Sequence, residues 1–90
     1  MSEGLGEKGI SYDQEILGGK PVITGTRISV ELILSKLAAG RPPEEIMYSH
    51  SLSPDAIEVA IRYTESLPVK HPLAQLLQEY RTVRRLGLTH

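Results

Sequence analysis

The chain reads as a mostly α-helical domain, with a short N-terminal β-hairpin, a three-helix unit and a C-terminal amphipathic helix. Three observations predict this. Apolar residues recur at helical spacing in consecutive segments after Ser29. Each of those segments opens on a capping residue or a proline. Ahead of them, two short β-prone stretches are separated by a Gly-Gly pair.

Residues 1–9 are polar and glycine-rich and read as a disordered tail. Gly4, Gly6 and Gly9 spell a G-x-G-x-x-G, but no strand precedes it, so the dinucleotide-binding context is missing. Ile10–Tyr12 is a candidate strand, Asp13 a candidate cap for the turn that follows, and Gly18-Gly19 a chain reversal. Pro21-Val22-Ile23 reads as a second strand, placed at an edge by its proline. Thr24-Gly25-Thr26 is a turn with Gly25 at positive φ, and Arg27-Ile28 leads into the first helix.

Ser29 is the N-cap of that helix, with Glu31 near its positive end. Val30, Ile33, Leu34, Leu37 and Ala38 form its apolar face, and Gly40 ends it. Pro42-Pro43 opens a second helix, with Glu44 and Glu45 in the first turn and Ile46 and Met47 inward. Ser53 is placed as the cap of a third, with Pro54 at its first position. Ile57, Ala60, Ile61 and Thr64 are its expected inner face, and Leu67-Pro68 closes it. Three helices joined by short turns are the size class of helix-turn-helix modules.

Pro68 and Pro72 bracket a linker. Beyond it Leu73, Leu76, Leu77, Tyr80 and Val83 form an amphipathic stripe. At about 100° per residue Arg84 falls in the middle of that stripe, with Arg81 at its edge and Leu86 nearly opposite. The expected organisation is a tail over 1–9, a hairpin plus three-helix domain over 10–67, and a linker with a partner-binding helix over 68–90.

Ninety residues hold one small domain. A chain of this size buries only about 60–65% of its unfolded surface, so a homodimer is expected to help it. Neither Phe nor Trp is present, which leaves Leu, Ile, Val and Ala to build the core. Without cysteine there is no disulfide, zinc ribbon or thiol nucleophile. The N-terminal residues lack the apolar core of a signal peptide, and no apolar run approaches a membrane span, so a cytoplasmic protein is expected.

The net charge of −1 is unevenly distributed. Residues 31–66 carry six acids against three bases, whereas residues 67–90 carry four bases against one acid. A basic end behind an acidic domain suggests two binding tasks, or simply a solvated tail.

Between residues 15 and 67 the chain resembles the DUF433 family of small prokaryotic proteins. The resemblance lies in Glu15-Ile-Leu-Gly-Gly-Lys-Pro-Val-Ile23, Gly25-Thr-Arg-Ile28, Val30-Glu-Leu-Ile33 and Leu37-Ala-Ala-Gly40. It continues through Pro43-Glu-Glu-Ile46, Tyr48 and Leu52-Ser-Pro-Asp-Ala-Ile57. Departures are Ser29 for a common proline, Pro42 for Ser or Thr, and one extra residue before Leu52. The resemblance implies a trihelical, homeodomain-like helix-turn-helix fold and an antitoxin-like, VapB-type role. It also implies duplex DNA and a PIN-like (VapC-type) ribonuclease toxin as partners.

No residue set supports catalysis, a cofactor or a metal. His50, His71 and His90 lack ligand spacing, and Glu44-Glu45 suits the helix dipole better than acid–base chemistry. Gly18-Gly19-Lys20 lacks the remaining residues of a phosphate loop. Candidate DNA contacts are Lys20, Thr24, Thr26 and Arg27 on the hairpin and Arg62 on the third helix. The alternative, which the residues favour, is that Arg27 pairs with a helix carboxylate and the threonines make only the turn. The start of the third helix is acidic, which argues against direct base readout by that helix.

Candidate partner contacts are Leu73, Leu76, Leu77, Tyr80, Arg81, Val83 and Arg84, as an apolar helix lying in a groove with a cation aimed at acidic residues. The alternative is that this helix packs on its own domain, with Arg84 reaching to solvent. The expected function is an antitoxin that binds promoter DNA and neutralises a PIN-like nuclease. The competitors are a stand-alone DNA-binding regulator and an interaction module without DNA binding.

Overall fold

The computed structural model describes residues 9–87. The tail expected over 1–9 therefore lies outside the described residues except for Gly9, as does His90.

Strand β1 (Ile10–Ser11) pairs antiparallel with β2 (Val22–Ile23), with Ile10 opposite Ile23 and Ser11 opposite Val22. The connection between them is locally held. Asp13 accepts the Glu15 N–H on its carboxylate at 2.9 Å and the Ile16 N–H on its carbonyl at 2.8 Å. A 3-10 turn over Leu17–Gly19 then reverses the chain.

On its other side, β2 meets the segment entering the first helix. The Ile23 N–H donates to the Ile28 carbonyl at 2.9 Å, the Val30 N–H to Pro21 at 3.0 Å, and Val22 bridges Ser29. The sheet has two strands, so β2 keeps the edge position expected from Pro21, with one isolated bridge to Ser29 on its outer side. Pro21 is compatible because it stands before the strand and contributes only its carbonyl.

Helix α1 (Val30–Ala38) starts where Ser29 Oγ accepts the Leu32 N–H at 2.9 Å. Gly40 at φ 92° ends it, with the Gly40 and Arg41 N–H groups returning to Leu37 and Lys36, both at 3.0 Å. Helix α2 (Pro43–His50) ends by the same device without a glycine. Ser51 takes φ 55°, its N–H reaches Tyr48, and the Leu52 N–H reaches Met47 at 2.9 Å. This left-handed turn swings Leu52 into the core and accommodates the longer loop.

Helix α3 (Asp55–Glu65) begins differently from the expectation. The Ser53 hydroxyl accepts no helix N–H; it donates to Asp55 Oδ1 at 2.7 Å, because a carboxylate two residues on is the stronger acceptor. Its carbonyl takes the Ala56 N–H at 3.0 Å. The buried face of α3 is Ala56, Ile57, Ala60, Tyr63 and Thr64, with Ile61 only partly covered. The turn toward Tyr63 has a tertiary cause. Tyr12, leaving β1, donates its hydroxyl to that of Tyr63 at 2.7 Å, and their rings meet edge to face.

Helix α4 (Pro72–Leu86) is capped by His71, whose Nδ1 accepts the Leu73 N–H at 3.0 Å. It packs most extensively on α1 and also on α3. Leu73, Leu77 and Tyr80 join Ile33, Leu34 and Leu37 in one core with Ile10 and Ile46. Leu67–Pro68 is therefore a turn in the chain, and α4 completes the core that the three preceding helices begin.

Among the described residues the architecture is mostly α, with four α-helices and a short antiparallel hairpin. No helix among the described residues is long and apolar enough to cross a membrane.

Candidate functional site

Two surfaces carry the chemistry that the sequence singles out. The first is the turn between β2 and α1. Thr26 Oγ1 donates to the Ile23 carbonyl at 2.8 Å and accepts the Ile28 N–H at 3.0 Å, so this hydroxyl is committed to the turn. Thr24 Oγ1 shares a hydrogen bond of 2.8 Å with Ser11 Oγ across the strands. Lys20 Nζ lies 3.2 Å from Glu31 Oε1, an exposed ion pair at the start of α1. Arg27 is exposed and makes no ion pair among the described residues. Of the four hairpin candidates, Arg27 is the cation left for a ligand.

Arg62, the fifth DNA candidate, lies on the outward face of α3 with Asp55, Glu58 and Glu65. It holds Glu58 Oε2 at 2.6 Å, one turn away. The Ser53 hydroxyl bond and a backbone hydrogen bond hold the Asp55 carboxyl below the usual carboxylate range. That face therefore carries three carboxylates and one engaged guanidinium, a charge pattern that repels phosphate.

The second surface is α4, which divides in two. From Leu73 to Tyr80 its stripe is packed inside: Leu73, Leu77 and Tyr80 are buried, and Leu76 partly so. These residues build the chain's own core, which withdraws Leu73, Leu77 and Tyr80 from a partner. Beyond Tyr80 only Val83 is partly covered, while Arg81, Thr82, Arg84, Arg85 and Leu86 are exposed. Arg81 is tied back to Glu65 of α3 by an ion pair. The Arg84 guanidinium carbon sits 5.8 Å from the centroid of the Tyr80 ring, one turn behind it. The helix thus ends in a projecting arm, closed by Gly87 at φ 70°.

Sequence reasoning missed two exposed residues. Leu17 is held at φ 55° and is 47% exposed, an unusual conformation for a bulky side chain. Tyr48 on α2 is 89% exposed. The period of α2 could have flagged Tyr48, since Ile46 and Met47 mark the inner side; Leu17 had no such signal. A cleft of about 320 Å³ also opens between the starts of α1 and α4. Tyr63, Leu73 and Leu76 line it, beside the Lys20–Glu31 pair and His71. The cap bond already occupies His71 Nδ1. Among the described residues, no three His, Asp or Glu side chains gather as a metal site.

Comparison with known proteins places this sequence in a family. The family described as "Protein of unknown function (DUF433)" matches residues 10–64, from β1 nearly to the end of α3. The uncharacterized protein y4eO of Sinorhizobium fredii (strain NBRC 101917 / NGR234) is 34% identical over 62 residues. That alignment covers 68% of this chain and 28% of y4eO, so the chain spans under a third of that relative. No solved structure gives a significant match.

Proposed function

The chain belongs to the DUF433 family, and from that premise we propose that it is a recognition protein of the antitoxin type. In this reading it neutralises a PIN-like (VapC-type) ribonuclease and binds its own promoter DNA.

The observation that carries the reading is the division of α4. Its first half is anchored in the core, and its second half presents Arg84, Arg85, Val83 and Leu86 on a rigid helix outside it. A preformed helix enters a groove without a large ordering cost. Arg84, placed over Tyr80, suits an acidic, metal-holding nuclease pocket, and Arg85 reinforces it. The partner contacts proposed from the stripe narrow to Leu76, Arg81, Val83 and Arg84. DNA contact falls to the turn carrying Arg27, because the outward face of α3 is acidic. That acidity also favours a second reading, an interaction module without DNA binding.

Co-expression with a PIN-like protein encoded beside this chain tests the first part. Arg84→Glu should abolish inhibition of the nuclease with the melting curve unchanged; full inhibition by that variant rejects the reading. Titration of promoter duplex at two salt concentrations tests the second. Phosphate contact gives a steep salt slope, and Arg27→Ala should lower that slope by about one. Binding that is absent at low salt favours the module without DNA.

A further inference from the structure

Helices α1 and α4 both begin at the cleft of about 320 Å³, and each supplies its capping residue, Ser29 or His71, to the lining. Most of the remaining wall is apolar, with Pro21, Tyr63 and Leu73 among its members. The volume stands at the lower end of the range for small-molecule sites, about 300–1,000 Å³.

Capping uses only part of what these two side chains can do. Ser29 Oγ accepts the Leu32 N–H at 2.9 Å, and its own hydroxyl proton has no acceptor among the described residues. Ser29 is 8% exposed, so water reaches that hydroxyl poorly. A buried polar group short of a partner marks a place for a ligand or an ordered water. His71 Nδ1 accepts the Leu73 N–H at 3.0 Å. A ring nitrogen that accepts carries no proton, so the imidazole proton sits on Nε2. That Nε2–H has no partner among the described residues.

The cleft thus offers two uncharged donors. Its charges cancel, because Lys20 Nζ and Glu31 Oε1 lie 3.2 Å apart in the same lining. A cation finds no uncompensated carboxylate there, and an anion would lose hydration beside Glu31. An alcohol would bring a further donor where donors are already in excess. A carbonyl oxygen has two lone pairs and no proton, and so suits the donors present.

We infer that the cleft binds a small neutral carbonyl compound with an apolar body, such as a ketone, ester, lactone or amide. The Ser29 hydroxyl and His71 Nε2–H donate to the carbonyl oxygen, and the body rests against Tyr63 and Leu73. Because Ser29 starts α1 and His71 starts α4, the ligand ties the two helices together at their first turns. It shares Leu76 with the partner contacts proposed above but none of the arginines. Its test needs neither nuclease nor DNA, so either reading can fail without the other.

The experiment is an NMR titration of the full chain with acetophenone, methyl benzoate and cyclohexanone, beside benzoate and benzylammonium as charged counterparts. At least one carbonyl probe should shift the Ser29 and Leu73 amides saturably, with a dissociation constant of about 1 mM or tighter. Both ions should bind more weakly than that probe. Ser29→Gly and His71→Asn each leave a residue tolerated at a helix N-cap while removing one donor. Each should weaken binding about two- to tenfold, the worth of one hydrogen bond.

No saturable shift with any of the three carbonyl probes overturns the proposal. So does tighter binding of benzoate, a set of shifts lying away from the cleft, or an affinity unchanged in both variants. Should a variant melt too low to titrate, the unaltered chain decides. Its His71 Nε2 resonance should move with the bound probe, and a resonance that stays in place rejects the site.

Discussion

Arg81 on α4 and Glu65 at the end of α3 form an ion pair that marks where α4 leaves the body of the protein. Before it the helix is buried on one face; after it the helix stands in solvent. Both side chains are about half exposed, 48% and 47%, so the pair orients the arm more than it stabilises the fold. Arg81→Ala should therefore lower unfolding free energy by less than about 1 kcal/mol. Urea unfolding at low and high salt measures this, and the variant's deficit should shrink as salt rises.

Leu77 is the opposite case. It is 4% exposed in the core that α1, α3 and α4 share. Leu77→Ala leaves a cavity there and should cost about 2–5 kcal/mol. For a domain of this size that is a large share of total stability, so removal of residues 68–90 should give a poorly folded chain. Far-UV circular dichroism and thermal melting of both variants decide it. A truncated chain melting like the full one would separate α4 from the core.

Ser51 holds a left-handed backbone at the end of α2, the position that Gly40 fills at the end of α1. A side chain there is strained, and glycine relieves the strain while keeping the hydrogen bonds to Tyr48 and Met47. Ser51→Gly should raise stability by about 0.5–1 kcal/mol in chemical denaturation, net of the extra chain entropy that glycine brings. A loss of stability would show that the Ser51 hydroxyl is needed.

Asp55 should give a signature in acid. Its folded carboxyl titrates below the ordinary range, first because Ser53 donates to it and then because of a backbone hydrogen bond. The unfolded state therefore binds the proton more readily than the native state. This contribution to stability is present above the unfolded value and lost as pH falls through the lower folded value. Carboxyl NMR titration should place Asp55 below exposed aspartates. Ser53→Ala should move it back toward them and flatten the acid limb of the stability curve.

The helices were legible because their signals are local. Ser29 caps α1 as its hydroxyl and position suggest, Gly40 ends it, and Pro43 stands at the first position of α2. Two expectations on α3 failed for different reasons. Ser53 is drawn to Asp55 only two residues on, a local competition between hydrogen bonds, whereas the inner face of α3 is turned by Tyr12, distant in sequence, reaching Tyr63. Within the candidate surfaces, the types of Lys20, Thr26 and Arg62 suggested ligands. Their hydrogen bonds to Glu31, the turn backbone and Glu58 are invisible to composition.

The sequence by itself determined the family segment, the helical periods and the separation of acidic from basic residues along the chain. Each follows from neighbours within a turn or two, or from simple counting. Only the tertiary structure decided which half of α4 is core and which half is surface. An amphipathic stripe records that a face will be covered but not by what. Here α1 and α3 cover it as far as Tyr80 and reach no further, which leaves Arg84 and Arg85 facing outward.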